Sequence, residues 1–241
     1  RYMGEANAAE SAYRTAEETL ITLHEAFPEE TRYQHELGDT YNWLGVLFKP
    51  FNQPGAIEAY NQAIALQQDL VDRFSNNPKY LHPLARSHYN SGIVKMSDSN
   101  TAESAERHFN RAIDLLRQTL DAETNPETLA QYRSEFARCF SNLAILQKSR
   151  GEFNQARDNY ERAIAEARTV VSEHPDRSVY KKELALYLNN LANLLESQSS
   201  EEVLADAVVA NQEALNLYKN FAQAVPEYQS DLSNIRHSLA V

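Results

Sequence analysis

The stretch "YKKELALYLNNLANLL", residues 180–195, decides the fold. Tyr180 is followed four positions on by Leu184, and seven and eight positions after that by Leu191 and Ala192. Such offsets put side chains on one stripe of an α-helix, and a small residue at Ala192 lets a second helix come close. The set recurs on both sides, as Tyr33/Leu37/Leu44/Gly45, Tyr80/Leu84/Ser91/Gly92, Tyr132/Phe136/Leu143/Ala144 and Tyr228/Leu232/Leu239/Ala240. A proline precedes each copy, and Pro28, Pro78, Pro126, Pro175 and Pro226 are spaced by 50, 48, 49 and 51 residues. Five copies in register predict a repeat array.

A second pattern lies between these segments. Ala, an aromatic four positions on and Ala three positions later appear as Ala9/Tyr13/Ala16, Ala56/Tyr60/Ala63, Ala105/Phe109/Ala112 and Ala156/Tyr160/Ala163. The last copy, Ala207/Asn211/Ala214, has lost its ring. Alternating small and ring side chains along a stripe let two helices approach while the ring fills the space beside them. The first pattern therefore predicts "A" helices at 30–48, 79–96, 127–149, 177–197 and 227–241. The second predicts "B" helices at 5–27, 55–75, 101–121, 153–173 and 202–224. Turns between them carry "KPFNQPG", "SDSN", "SRGEF" and "SQSSE", or the prolines, and are short enough that neighbouring helices must run antiparallel.

Bulk composition agrees. In 241 residues there are only 6 Gly and 8 Pro, while 42% of the chain is hydrophobic, which favours an all-α protein with a sizeable core. The formal charge of −11, with no segment dense in Lys and Arg, would repel a phosphate backbone and an anionic membrane, so no nucleic acid and no membrane partner is expected. A protein or peptide partner, basic or extended, is the better electrostatic match. No run approaches the roughly 18 apolar residues of a membrane helix, and no signal peptide is visible, so a cytoplasmic setting is expected. The chain opens on Arg1, which reads as a piece of something longer.

These residues resemble the tetratricopeptide repeat (TPR), with its Leu-Gly in helix A and Ala, aromatic, Ala in helix B. Phe140, Leu143, Ala144, Ala156, Tyr160 and Ala163 fall at the family's spacings, with Gly151 at the A–B turn. The departure is length: the family's unit has about 34 residues. The surplus sits at the outer ends of both helices, in "PDRSVYKKELA" and "EARTVVSEHP". Long units with "YKKELALYLNNLANLL" look like the arrays attached to planctomycete-type bacterial serine/threonine kinases and, more loosely, like kinesin light chain repeats. The resemblance implies one right-handed α-solenoid over 1–241. Its parts would be a B helix of a truncated unit at 1–28, four units at 29–77, 78–125, 126–174 and 175–225, and a lone A helix at 226–241.

No residues suggest catalysis. Among the seven histidines, His24, His35, His82, His88, His108, His174 and His237, none forms HExxH, and no Cys/His set has zinc spacing, so they read as scattered surface or groove side chains. Cys139, the only cysteine, reads as a small buried side chain. No metal and no cofactor is expected, and the chain is not expected to be an enzyme.

By the family's geometry, A helices line a concave groove. The groove-facing positions hold Arg86, Tyr89, Asn90 and Ile93, then Arg138, Ser141, Asn142 and Ile145, then Asn189, Asn190 and Asn193. A carboxamide donates and accepts at once, so a ladder of Asn could clamp the backbone of an extended peptide. Two readings stay open for Asn142 and Asn190, peptide binding or bracing of the neighbouring repeat. Arg86 and Arg138 could grip a carboxylate, but in so acidic a chain they are expected to pair locally. The family's clamp for C-terminal carboxylates is incomplete, because Asn42 and Val46 occupy its first two places. Trp43, Tyr41 and Phe51 cluster near one turn, where "WLGVLFKPF" reads as an apolar patch or as ordinary packing, with packing the expectation. The function expected is a protein-binding scaffold in a larger signalling protein. The alternatives are self-association through exposed solenoid ends and the non-catalytic arm of a serine/threonine kinase.

Overall fold

Among the described residues, helices form where the repeat places them. The computed structural model describes the backbone of residues 2–198 and 201–222 and the side chains of residues 6–198 and 204–217. Among them run nine α-helices and no strand: α1 (Tyr2–Ala26), α2 (Thr31–Phe48), α3 (Gln53–Arg73), α4 (Pro78–Lys95), α5 (Ala102–Ala122), α6 (Pro126–Ser149), α7 (Phe153–Glu173), α8 (Ser178–Glu196) and α9 (Glu201–Ala222). Even-numbered helices are the A type and odd-numbered ones the B type. The predicted A helix at 227–241 lies outside the described residues.

The prolines do more than end the preceding helix. Pro78 and Pro126 are the first residues of α4 and α6, where a missing N–H costs nothing and the fixed φ suits the helix. The asparagine before each is the cap. Asn77 Oδ1 accepts from the Lys79 amide at 3.1 Å, and Asn125 Oδ1 from the Glu127 and Thr128 amides at 3.0 and 3.2 Å. Gly151, with φ +77°, makes the α6–α7 turn in the left-handed region that favours glycine.

The chain forms two compact units, residues 1–124 and 125–241. In each, every A helix packs along the B helix that follows it, and each B helix packs on the next A helix. The N-terminal unit has Leu44, Phe48, Ala56, Ala59, Tyr60 and Val94 at its core. Glycine is required there by close approach: a methyl at Gly45 would stand 2.4 Å from the Tyr60 ring, and one at Gly92 2.8 Å from Phe109. In the C-terminal unit, Phe140, Leu143, Ala144, Ala156, Tyr160, Ala163, Leu188 and Ala192 are buried in the same register. Cys139 is buried too, and burial pushes its thiol above its usual range, which leaves it inert.

The extra turns of the long helices have fasteners of their own. Ten positions before Leu44, Gln34 donates to the Leu66 carbonyl at 2.9 Å and to Asp69 at 2.7 Å. At the same register before Leu143, Arg133 donates to Glu166 at 2.9 Å. Before Ser91 that register holds Leu81, buried like its counterpart Leu115. One position thus serves as a polar bridge in two helix pairs and holds a buried apolar side chain in a third.

Candidate functional site

In each unit one side is drawn tighter than the other. Helix α2 approaches α4, and α6 approaches α8, more closely than the B helices opposite approach one another. The B helices are spanned instead by long side chains. Arg111 reaches Gln68 at 3.3 Å, and Arg157 and Arg168 reach Asp206 and Glu213 at 3.0 and 2.5 Å. The A side is therefore the inner side of each unit.

Register sorts the A-helix positions into rows. Five residues before the Leu-Gly position stand Asp39, Arg86, Arg138 and Leu186; one residue before it stand Trp43, Asn90, Asn142 and Asn190. In the N-terminal unit, Arg86 Nη2 donates to Asp39 Oδ1 at 2.9 Å, and its guanidinium lies 5.4 Å from the centre of the Trp43 ring. Asn90 Nδ2 donates to Asn42 Oδ1 at 3.0 Å, and Ser87 Oγ to the same atom at 3.3 Å. Tyr89 turns toward the B helix, its ring 6.1 Å from Phe109. Arg86, Tyr89 and Asn90 thus spend much of their chemistry on bracing neighbours.

The C-terminal unit divides its face differently. Arg138 Nη2 donates to Glu183 Oε1 at 2.6 Å, and Ser134 Oγ to Glu183 Oε2 at 2.5 Å. Asn142 Nδ2 donates back to the Arg138 carbonyl at 3.0 Å. Ser141 is buried and cannot meet a partner. Asn189 and Asn190 are half-buried, and Asn193 is exposed, its main-chain oxygen accepting from Lys148 Nζ at 3.3 Å. The side chains of Asn189 and Asn190 make no hydrogen bond among the described residues. Beside them Leu186 is 44% and Ile145 38% exposed. The surface formed by α6 and α8 offers the carboxamide of Asn190 beside exposed apolar side chains, with Arg138 already paired to Glu183.

Two expectations are corrected here. Trp43 and Phe51 are not ordinary packing, being 43% and 62% exposed, while Tyr41 is half-buried. Trp43 belongs to the A face instead, in the row of Asn90, Asn142 and Asn190. Nor are the histidines all scattered, because His88 and His108 meet across α4 and α5.

No family model and no curated protein matches the chain. Among solved structures, BtubC (BKLC) from P. vanneervenii matches at 18% identity over 96% of this chain and 82% of its own, with a TM-score of 0.65. The fold is a TPR-type solenoid of antiparallel helix pairs. A thermophilic TPR protein from Thermus thermophilus matches at 16% identity over 100% of this chain and 97% of its own, with a TM-score of 0.42. Among the described residues, no helix is long and apolar enough to cross a membrane, and no group of three or more His, Cys, Asp or Glu could hold a metal ion.

Proposed function

We propose that the A face of this chain binds an extended segment of a partner protein, as a docking region within a larger signalling protein. The observation that carries the reading is the α6–α8 surface. Asn190, in the row of Asn90 and Asn142, holds a donor and an acceptor with no partner among the described residues, one helical turn from the exposed side chain of Leu186. Carboxamides can pair with the main chain of an extended peptide, and apolar neighbours can seat its alternate side chains. In the N-terminal unit the ring of Trp43 is the corresponding anchor, since a large exposed aromatic contributes contact area with little entropy to lose.

The test is selection of peptides from a random display library on the intact chain, followed by titration against face variants. Asn142→Ala with Asn190→Ala is expected to weaken a selected peptide by roughly 5- to 150-fold, as two lost hydrogen bonds of about 0.5–1.5 kcal/mol each imply. Leu186→Glu should also abolish binding. Peptides indifferent to these changes but sensitive to Arg157→Glu or Arg168→Glu would place binding on the B side and overturn the reading.

Self-association has one observation in its favour. On α9, Leu204, Val208 and Val209 are 41%, 54% and 67% exposed. The outward residues of α1, by contrast, include Ala8, Ser11, Ala12, Thr15, Thr19 and Thr22, a surface of small and polar side chains. Sedimentation of the chain beside Val208→Glu/Val209→Glu separates the readings, because only association through α9 would be lost in the variant.

A further inference from the structure

One A–B contact in the N-terminal unit is built from titratable groups. Across α4 and α5, Lys95 Nζ lies 2.8 Å from His108 Nε2, and His108 Nδ1 lies 2.9 Å from His88 Nδ1. A lysine ammonium only donates, so His108 Nε2 accepts, His108 carries its proton on Nδ1, and that proton is donated to His88 Nδ1. His88 must then be the Nε2–H tautomer. Both nitrogens at which a proton could be added are already acceptors in this chain. Protonating His108 sets an N–H against the ammonium, and protonating His88 sets two N–H groups against each other. No proton enters without breaking a link between the two helices.

Ser91 Oγ, 3.4 Å from His108 Nε2, is the nearest neutral acceptor for an added proton, too long a contact to offset the ammonium at 2.8 Å. The charges acting on the two rings are Lys95 from α4 and Arg107 and Arg111 from α5, all positive, and neither α2, α3 nor the turn before α5 contributes a carboxylate. Burial, reinforced by those cations, pushes His88 down to about 3 and His108 down to about 4. The other helix pairs place no such groups in this register. Where α4 and α5 have His88, Lys95 and His108, the next pair has Phe140, Gln147 and Asn159, with Asn159 Nδ2 donating to Gln147 Oε1 at 2.8 Å. The pair before has Tyr41, Phe48 and Ala59, and the last pair has Leu188, Leu195 and Ala210.

We propose that the Lys95–His108–His88 chain is an acid-labile joint, which loosens α5 from α4 when it is protonated while the helix pairs of the C-terminal unit stay closed. The direction follows from linkage. Both histidines bind protons more weakly in the closed pair than in the open one, so their contribution is complete above about pH 6.5 and lost as pH falls toward 4 and 3. Helix α4 also carries Arg86 and Asn90, so acid would disperse that part of the A face. That consequence rests on the proposed function; the joint itself does not.

The experiment is amide hydrogen exchange on the intact chain at pH 7.5 and pH 5, corrected for intrinsic rates and made without any partner. Wild type is compared with His88→Phe/Lys95→Gln/His108→Asn, which installs the residues of the next helix pair. Wild type is expected to lose protection in α4 and α5 by on the order of a hundred- to a thousandfold relative to α7, and the variant to lose almost none. Equal loss in both proteins, or wild-type loss spread evenly over all helices, would overturn the proposal. Nitrogen NMR of wild type gives a second reading that needs no variant. Nδ1–H on His108 and Nε2–H on His88 at pH 7.5, persisting below pH 6, are expected; either ring titrating near 6.5 defeats the proposal.

Discussion

Tyr60→Ala is expected to destabilise the N-terminal unit by about 3–5 kcal/mol, the range for deleting a buried ring, whereas Tyr60→Phe is expected to stabilise it by about 1 kcal/mol. Tyr60 is fully buried, between Ala56 and Ala63 on its own helix and against Gly45 of α2. Removing the ring deletes its transfer energy and leaves a cavity that two long, stiff helices can close only in part. The hydroxyl behaves differently, because its oxygen is buried without a hydrogen-bond partner, and that desolvation raises the phenol above its usual pKa. A buried polar atom without a partner costs about 1–3 kcal/mol, so the phenylalanine loses a penalty and keeps the packing. Urea unfolding followed by tryptophan fluorescence measures both, since Trp43 is the only tryptophan and sits in α2 beside the site. A phenylalanine variant weaker than wild type by 1 kcal/mol or more would mean that a buried water holds that oxygen.

How far the sequence revealed this arrangement depends on what kind of distance was asked of it. Offsets of four and seven fix where a side chain lies around one helix, so Gly45, Tyr60, Ala144 and Tyr160 could be assigned to the A–B contact from the pattern alone. Partner choice among charged residues is another matter. Arg86 pairs backward, with Asp39 of the preceding A helix, and Arg138 forward, with Glu183 of the following one, although both stand at the same register. That choice depends on where acids happen to fall on the neighbouring helix, and periodicity carries no trace of it. The histidine chain escaped for a related reason: His88 and His108 lie on different helices, and only the A–B separation brings their rings to 5.1 Å between centres. Trp43 was legible but misjudged, because a tryptophan beside Leu-Gly looks like core until its row is read across repeats.

Gly45→Ala sets two known effects against each other, and the steric one should win. Alanine is favoured over glycine within a helix by about 1 kcal/mol, and Gly45 lies in the last turns of α2, so propensity alone predicts a gain. The new methyl, however, would stand 2.4 Å from Tyr60 Cε1 and 2.6 Å from Cδ1, well inside contact. The ring cannot swing away, being fully enclosed, so α2 and α3 must part along their length. Overpacking of this kind costs about 1–3 kcal/mol and occasionally more. The third helix pair shows the alternative solution, with a buried Ala144 at the register of Gly45 and a buried Tyr160 at that of Tyr60, but adopting it here would shift the contacts between α2 and α3. A double-mutant cycle isolates the cause. In the Tyr60→Ala background the clash has no second partner and the methyl enters vacated space, so Gly45→Ala should become neutral or stabilising, with a coupling of about 1–3 kcal/mol. Equal cost of Gly45→Ala in both backgrounds would mean that the ring is not what holds this position to glycine, and the close approach of α2 and α3 would need another explanation.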